Sequence, residues 1–231
     1  MDTPTTRPVR RGHDASERAI RQAIASRFRT RPQRGYVRGK LAGDPVYPAI
    51  AGLLAGAAPR PLLDVGCGMG LLGQYLEARG LLHGYLGIDH DPRKIDAARH
   101  AAAALATPLH WQCGGADGLP DFRGHVALLD MLHYLPAAAQ APLLAAAAQR
   151  LAPDGLLVIR NVLREPNWRY QLTRAEEFLL HATGWMRVGA QHYPSAAELR
   201  AALEAAGLGV RIEPLHAGTP FNSYLVVGRR G

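Results

Sequence analysis

Cysteine is almost absent from this 231-residue chain: Cys67 and Cys113 stand alone with no C-x-x-C, so neither a disulfide framework nor a thiolate metal cluster is expected. Long apolar runs are missing as well. The longest Ala/Leu stretches, of which Pro136 to Pro153 is the clearest, are broken by Gln, Arg and Pro and fall short of the roughly 20 residues that cross a bilayer. No apolar leader follows Met1, no internal repeat is visible, and two unpaired thiols read as reduced, which together point to the cytoplasm. What is present is enough for one α/β core: 48% of the residues are hydrophobic.

The charge is unevenly placed. Residues 1–40 hold 11 Lys/Arg against 3 Asp/Glu, while residues 41–231 hold 16 of each, so the formal +8 belongs to the first forty residues. This divides the chain into a basic arm, 1–40, and an electrically neutral catalytic body, 41–231. In the arm, Ala15, Ala19, Ile20, Ala23, Ile24 and Phe28 share one helical face behind Asp14 as the expected cap. Such a helix either closes over the body as a solvated element or docks on an acidic carrier protein, an anionic lipid surface or nucleic acid. Nucleic acid is the weakest of these, because its ligands should spread Lys/Arg and aromatics over the body.

The densest signal is Asp64-Val65-Gly66-Cys67-Gly68-Met69-Gly70. Leu62 to Val65 is a short apolar strand after Pro59 and Pro61, and apolar residues recur at helical spacing from Leu71 to Arg79, so the segment reads strand, glycine turn, helix. Glycines at 66, 68 and 70 permit positive φ and let a ligand approach main chain. The first-turn amides of the helix favour a carboxylate. An acid closing the strand before such a turn resembles the way methyltransferases hold S-adenosylmethionine, with Asp64 meeting its ammonium. A rival reading takes Gly68 to Gly73 as G-x-G-x-x-G with Asp89 as the ribose acid of a dinucleotide fold. It places the glycines one turn late and leaves Asp64 without a purpose.

The remainder alternates strands and helices. Strands are expected at 84–89, 109–113, 125–130 and 156–161, and helices at 92–105, 136–151, 171–183 and 196–206. Strands at 210–214 and 223–228 are joined by a link too short for a parallel crossover, so the last must run antiparallel. The whole resembles the class I methyltransferase fold: α/β, Rossmann-like, a doubly wound seven-stranded sheet with an antiparallel last strand, here with an N-terminal helical arm.

Ligands of such sheets bind beyond the carboxyl ends of the strands, and those ends nominate the site. By resemblance to this class, Asp89 accepts from both ribose hydroxyls. Gly114 to Pro120 resembles an adenine-binding G-D-A-x-x-L-P with Gly115 where the acid commonly lies, so Asp117 is its substitute. Asp130 joins the cofactor set. His133, in Asp130-Met131-Leu132-His133-Tyr134, is the candidate general base, since methyl transfer to a hydroxyl with pKa near 10 needs a proton acceptor. Packing beside the cofactor or capping the next helix is the alternative. The segment lacks [DN]-P-P-[FYW], which amino-methylating nucleic-acid enzymes carry. Asp130 and Asn161 match two magnesium ligands of catechol methyltransferases in type, but Arg160 replaces the middle acid, so no metal is expected.

A narrower resemblance covers residues 36–231. Tyr36-Val37-Arg38-Gly39-Lys40-Leu41, Asp44-Pro45-Val46-Tyr47-Pro48, Asp130 to Tyr134 and Gly218-Thr219-Pro220-Phe221-Asn222 are similar to the methyltransferases of aryl polyene pigment clusters, including xanthomonadin-type ones. The resemblance implies methylation of an aryl head group, on oxygen or ring carbon, with the substrate free or on an acyl carrier protein. Substrate contacts are then expected from Arg38, Tyr134, Asn161, Trp168, His192 and Asn222. A non-catalytic protein of the same fold would be expected to show a damaged glycine turn, and this turn is intact.

Overall fold

A computed structural model describes residues 9–116, 118–166, 168–171, 189–216, 219 and 222–231. Three helices come first: α1 (Val9–Ser26), α2 (Arg31–Gly43) and α3 (Val46–Ala55). The sheet begins with β1 (Leu62–Val65), then α4 (Leu71–Ala78), β2 (Tyr85–Asp89), α5 (Pro92–Ala102), β3 (His110–Cys113) and β4 (His125–Leu129). A 3-10 turn at Leu132–Tyr134 leads to α6 (Ala137–Gln149), β5 (Leu156–Val162), α7 (Ala196–Ala205), β6 (Leu208–Pro214) and β7 (Ser223–Arg230). The expected helix over 171–183 lies, apart from its first residue, outside the described residues.

The seven strands pair in the order β3-β2-β1-β4-β5-β7-β6. β1 to β5 are parallel, and β7 runs antiparallel to both neighbours. The alternation of side chains along each strand divides the interior in two. Leu62, Ala127 and Val158 face a core shared with α1 to α4, where Ile24, Phe28, Tyr47 and Tyr75 are buried. Leu63, Val126 and Leu157 face the core under α6 and α7, with Leu144, Leu199 and Leu203. Both faces are covered over the central strands, which is why β1 and β4 read as short, mainly apolar runs, whereas β3 at the sheet edge is His-Trp-Gln-Cys and largely exposed.

Local chemistry sets the helix starts. Thr30 and Gln33 form a capping box at α2, Ser195 and Glu198 another at α7, and Asp91 caps α5 ahead of Pro92. The expectation at α1 needs correcting. The helix begins at Val9, so Asp14 lies within it rather than ahead of it.

Charge and packing partition the chain differently. α2 runs continuously through residue 40, and Ile24 and Phe28 of the basic segment are buried among residues of α3 and α4. The Glu17 carboxylate accepts from the Tyr75 hydroxyl at 3.1 Å and pairs with Arg79, while Arg27 reaches Glu77 at 4.0 Å. Part of the arm's charge thus balances acids and bases of α4, the helix that follows the glycine turn.

Candidate active site

Asp64 is 2% exposed and lies in register between Gly87 of β2 and Ala127 of β4, neither of which offers it a polar side chain. The Tyr85 hydroxyl donates to Oδ2 at 2.7 Å, whereas buried Oδ1 has no partner among the described residues. Burial pushes this carboxyl up to about 7; the Tyr85 hydrogen bond opposes the shift and Asp89 adds to it. An unmet buried acceptor costs about 1–3 kcal/mol and fits an incoming ammonium group.

The glycine turn beside it adopts left-handed backbone at Gly66, Gly68 and Gly70, with φ of 76°, 56° and 72°. A Cβ on Gly70 would lie 2.1 Å from the Trp111 ring, and one on Gly66 would lie 3.0 Å from Met131. At Gly68 it would meet none of the described residues within 4 Å. The turn is therefore packed from beneath at its two ends and open at its middle. The Gly68 N–H donates to Asp89 Oδ2 at 2.9 Å and the Asp91 N–H to Oδ1 at 2.9 Å, which fixes both oxygens and leaves each a second lone pair. Among the described residues, no side chain caps α4. An unpaired acid oxygen, an open glycine cradle and a fixed acid at the end of β2 fit the ammonium, the backbone contact and the ribose diol of S-adenosylmethionine. Asp117, expected at the adenine, lies outside the described residues.

One strand over, Asp130 has a different environment. Its Oδ2 pairs with the Arg160 guanidinium and lies 3.5 Å from Lys40 Nζ, while Asp44 joins the same two cations at 2.7 Å and 3.6 Å. Burial alone would raise the Asp130 carboxyl, but Arg160 and Lys40 outweigh it and hold it well below the ordinary range. Asp130 also has φ 53°, and its N–H donates to the Arg160 carbonyl at 2.8 Å, so Arg160 secures both its side chain and its backbone. The guanidinium that interrupts the catechol-type ligand set is the direct partner of Asp130. Asp44 Oδ1 also accepts from the Val46 N–H at 3.0 Å, at the start of α3.

Beyond Asp130, the 3-10 turn places His133 at 1% exposure. Its Nδ1 is 2.9 Å from Asn161 Oδ1, its ring stacks on Tyr193 at 5.6 Å with planes 5° apart, and Tyr134 lies 4.1 Å away. Tyr170 meets Tyr193 edge-on at 5.4 Å. Gln191 and His192 donate backbone N–H groups to the His133 carbonyl at 2.8 Å and 3.2 Å. The Gln140 side chain ties Leu132, Leu135 and His192 carbonyls together at 2.9–3.2 Å.

The expected substrate residues separate on this frame. Tyr134 and Asn161 touch His133. The His192 side chain lies 3.8 Å from Glu198. Asn222 is fully buried and donates to the Leu163 carbonyl at 2.8 Å, joining the start of β7 to the residue after β5. Trp168 is 63% exposed with Arg169 stacked 4.8 Å above it. Arg38 is exposed on α2, and it is Lys40 that reaches Asp130.

Sequence reasoning missed Tyr85, Arg160 as a partner of Asp130, and Glu17. Only Tyr85 left a local trace: a Cβ on Gly73 would lie 2.7 Å from its ring, so that glycine makes room for it. A hollow of about 450 Å³ lined by Asp121, Phe122, Arg123, Gln149, Arg150 and Arg230 lies at the amino ends of the parallel strands, away from these residues. Three of its side chains, Arg123, Arg150 and Arg230, are engaged with backbone carbonyls.

Comparison with known proteins agrees with this geometry. The family model described as a methyltransferase domain matches residues 34–211. A ubiquinone biosynthesis O-methyltransferase of Neisseria meningitidis serogroup C is 28% identical over 154 residues, covering 64% of this chain and 63% of that protein. One of Aeromonas salmonicida is 30% identical over 154 residues, covering 65% and 63%. The matched region is under two thirds of the length of these relatives. In fold, the chain is similar to magnesium protoporphyrin IX methyltransferase of Synechocystis PCC 6803 with bound S-adenosylhomocysteine, with TM-score 0.64, 17% identity, and 96% and 95% of the two chains covered.

Proposed function

This chain belongs to the methyltransferase-domain family, and from that premise we propose that it methylates the phenolic oxygen of a small aromatic acceptor, with S-adenosylmethionine as donor and His133 as general base. When bound, S-adenosylmethionine would supply an electrophilic methyl group for transfer to the acceptor oxygen. Asp64 Oδ1 would receive the ammonium and Asp89 the ribose hydroxyls, and the open face at Gly68 would let the cofactor approach the main chain. His133 takes the acceptor proton, because a phenol near pKa 10 is a poor nucleophile until it is ionised. Tyr134, Tyr170 and Tyr193 form aromatic surroundings for His133 and suit a planar acceptor.

The observation that carries this reading is the juxtaposition of His133 and its aromatic cluster with the glycine turn at adjacent strand ends, Met131 packing directly on Gly66. The O-methyltransferase names of the relatives favour oxygen over carbon. Within the phenolic class, the aryl head group of an aryl polyene-type pigment is the acceptor suggested by the motifs at 36–48, 130–134 and 218–222. Exposed arginines at 18, 29, 31, 34 and 38 would suit delivery on an acidic acyl carrier protein. The Arg160–Asp130 pair supports chemistry that needs no metal.

Turnover of a 4-hydroxyaryl acid in EDTA tests the reading. His133→Ala should lower kcat by roughly 10² to 10⁴ with S-adenosylhomocysteine affinity retained, and raising the pH should partly restore the rate as the phenol ionises by itself. An unchanged kcat would remove His133 from the mechanism.

A further inference from the structure

Asn161 was expected to touch substrate, but it is completely buried on β5, in register with Tyr224 of β7. Its amide nitrogen donates to the Val162 carbonyl at 2.8 Å, which turns the amide oxygen toward His133 Nδ1 at 2.9 Å. An amide oxygen only accepts, so Nδ1 must carry a hydrogen. A neutral imidazole holds one ring proton, and its lone pair then lies on Nε2. The stack on Tyr193 and the two backbone N–H bonds to the His133 carbonyl hold the ring plane and the main chain beneath it.

We propose that Asn161 is a positioning residue that locks His133 in the Nδ1-protonated tautomer, so that Nε2 receives the acceptor proton. The inference deepens the base assignment above and rests on it for its catalytic meaning. The proton passes from the phenolic oxygen to Nε2; the imidazolium so formed still donates from Nδ1 to Asn161, and Nε2 returns the proton to solvent after turnover. A neutral amide suits this cycle better than a carboxylate, which would stabilise the imidazolium and make each turnover begin from a protonated base. Among the described residues, the titratable and charged groups around the ring are Asp130, with Arg160 and Lys40 behind it, Tyr134, Tyr193, Tyr170 and His192.

Two-bond proton–nitrogen spectra of the full-length protein, with the His133 resonances assigned by their loss in His133→Gln, read the tautomer without turnover. The wild type should show a protonated Nδ1 and an unprotonated Nε2 at high pH. Asn161→Asp should keep that tautomer, raise the His133 pKa by about one unit, and move the acid limb of the kcat/KM profile upward with it. Asn161→Leu should release the tautomer and lower kcat roughly 10-fold or more with S-adenosylhomocysteine affinity unchanged. A wild-type ring protonated on Nε2, or an Asn161→Asp pKa equal to wild type, overturns the proposal even if Asn161→Leu fails to fold. A correct tautomer combined with a fully active His133→Ala would instead retire the base assignment and leave the Asn161 contact without a catalytic purpose.

Discussion

Two acids stand at the ends of neighbouring strands, Asp64 on β1 and Asp130 just past β4, and their surroundings are opposite. Asp130 is gripped on Oδ2 by Arg160 and Lys40, whereas Asp64 is held on Oδ2 by one neutral hydroxyl; each keeps a buried Oδ1 with no partner among the described residues. The Asp130 carboxyl is held far down, and the Asp64 carboxyl is pushed up to about 7. The difference separates structural from ligand-facing charge. Where the fold supplies its own counterions, the acid braces loops; where it withholds them, the acid costs stability until a cation arrives from outside.

Breaking the closed end should have the largest effect. Arg160→Met leaves two acids to share Lys40, and chemical denaturation should show a loss of about 3 kcal/mol. A stability equal to wild type would mean that the pairing contributes nothing. Breaking the open end should do the reverse. Asp64→Asn keeps an acceptor for Tyr85 and should fold as well as wild type, while calorimetry records a roughly 10- to 100-fold weaker affinity for S-adenosylhomocysteine. Tight binding by that variant would show that Asp64 does not meet the ammonium.

The subtlest contrast is in pH. A carboxyl raised from its ordinary 3.8 to about 7 keeps its proton in the folded state while the unfolded state loses it. Its contribution to stability is therefore whole below pH 4 and declines as pH rises toward 7, by at most about 1.4 kcal/mol per unit. Asp64→Asn should remove that slope, matching wild type near pH 4 and exceeding it above pH 7 when no ligand is bound. Binding of S-adenosylhomocysteine to wild type near pH 6 should expel a proton, detectable as a buffer-dependent heat that the variant lacks.

Much of this architecture was legible because its signals are local. The Asp64 to Gly70 turn, the strands that alternate with helices and the short final link all depend on residues adjacent in sequence, and the β7 reversal follows from link length alone. Functional partners were less visible. Which way Asn161 points depends on the Val162 carbonyl fixing its amide, and no spacing rule reveals that. Glu17 and Tyr75 meet across 58 residues, a contact that the basic composition of the first forty residues does not reveal. Arg38 was expected at the substrate from Y-V-R-G-K-L, but Arg38 and Lys40 sit two positions apart on a helix and face different directions, and it is Lys40 that reaches Asp130. Asp14 resembled a cap because its role depends on how far the helix extends before it.

The position of β7 has a consequence for the order in which the molecule is made. Although β7 follows every other strand in the sequence, it lies between β5 and β6 and pairs with seven residues of each. During synthesis the apolar edge of Leu156–Val162 must wait without a neighbour until residues 223–230 have left the ribosome, and β6 cannot join the sheet before then. The nascent protein therefore passes through a stage in which five parallel strands end in an open, hydrophobic margin, a natural target for chaperones and a point at which crowded or truncated chains would aggregate.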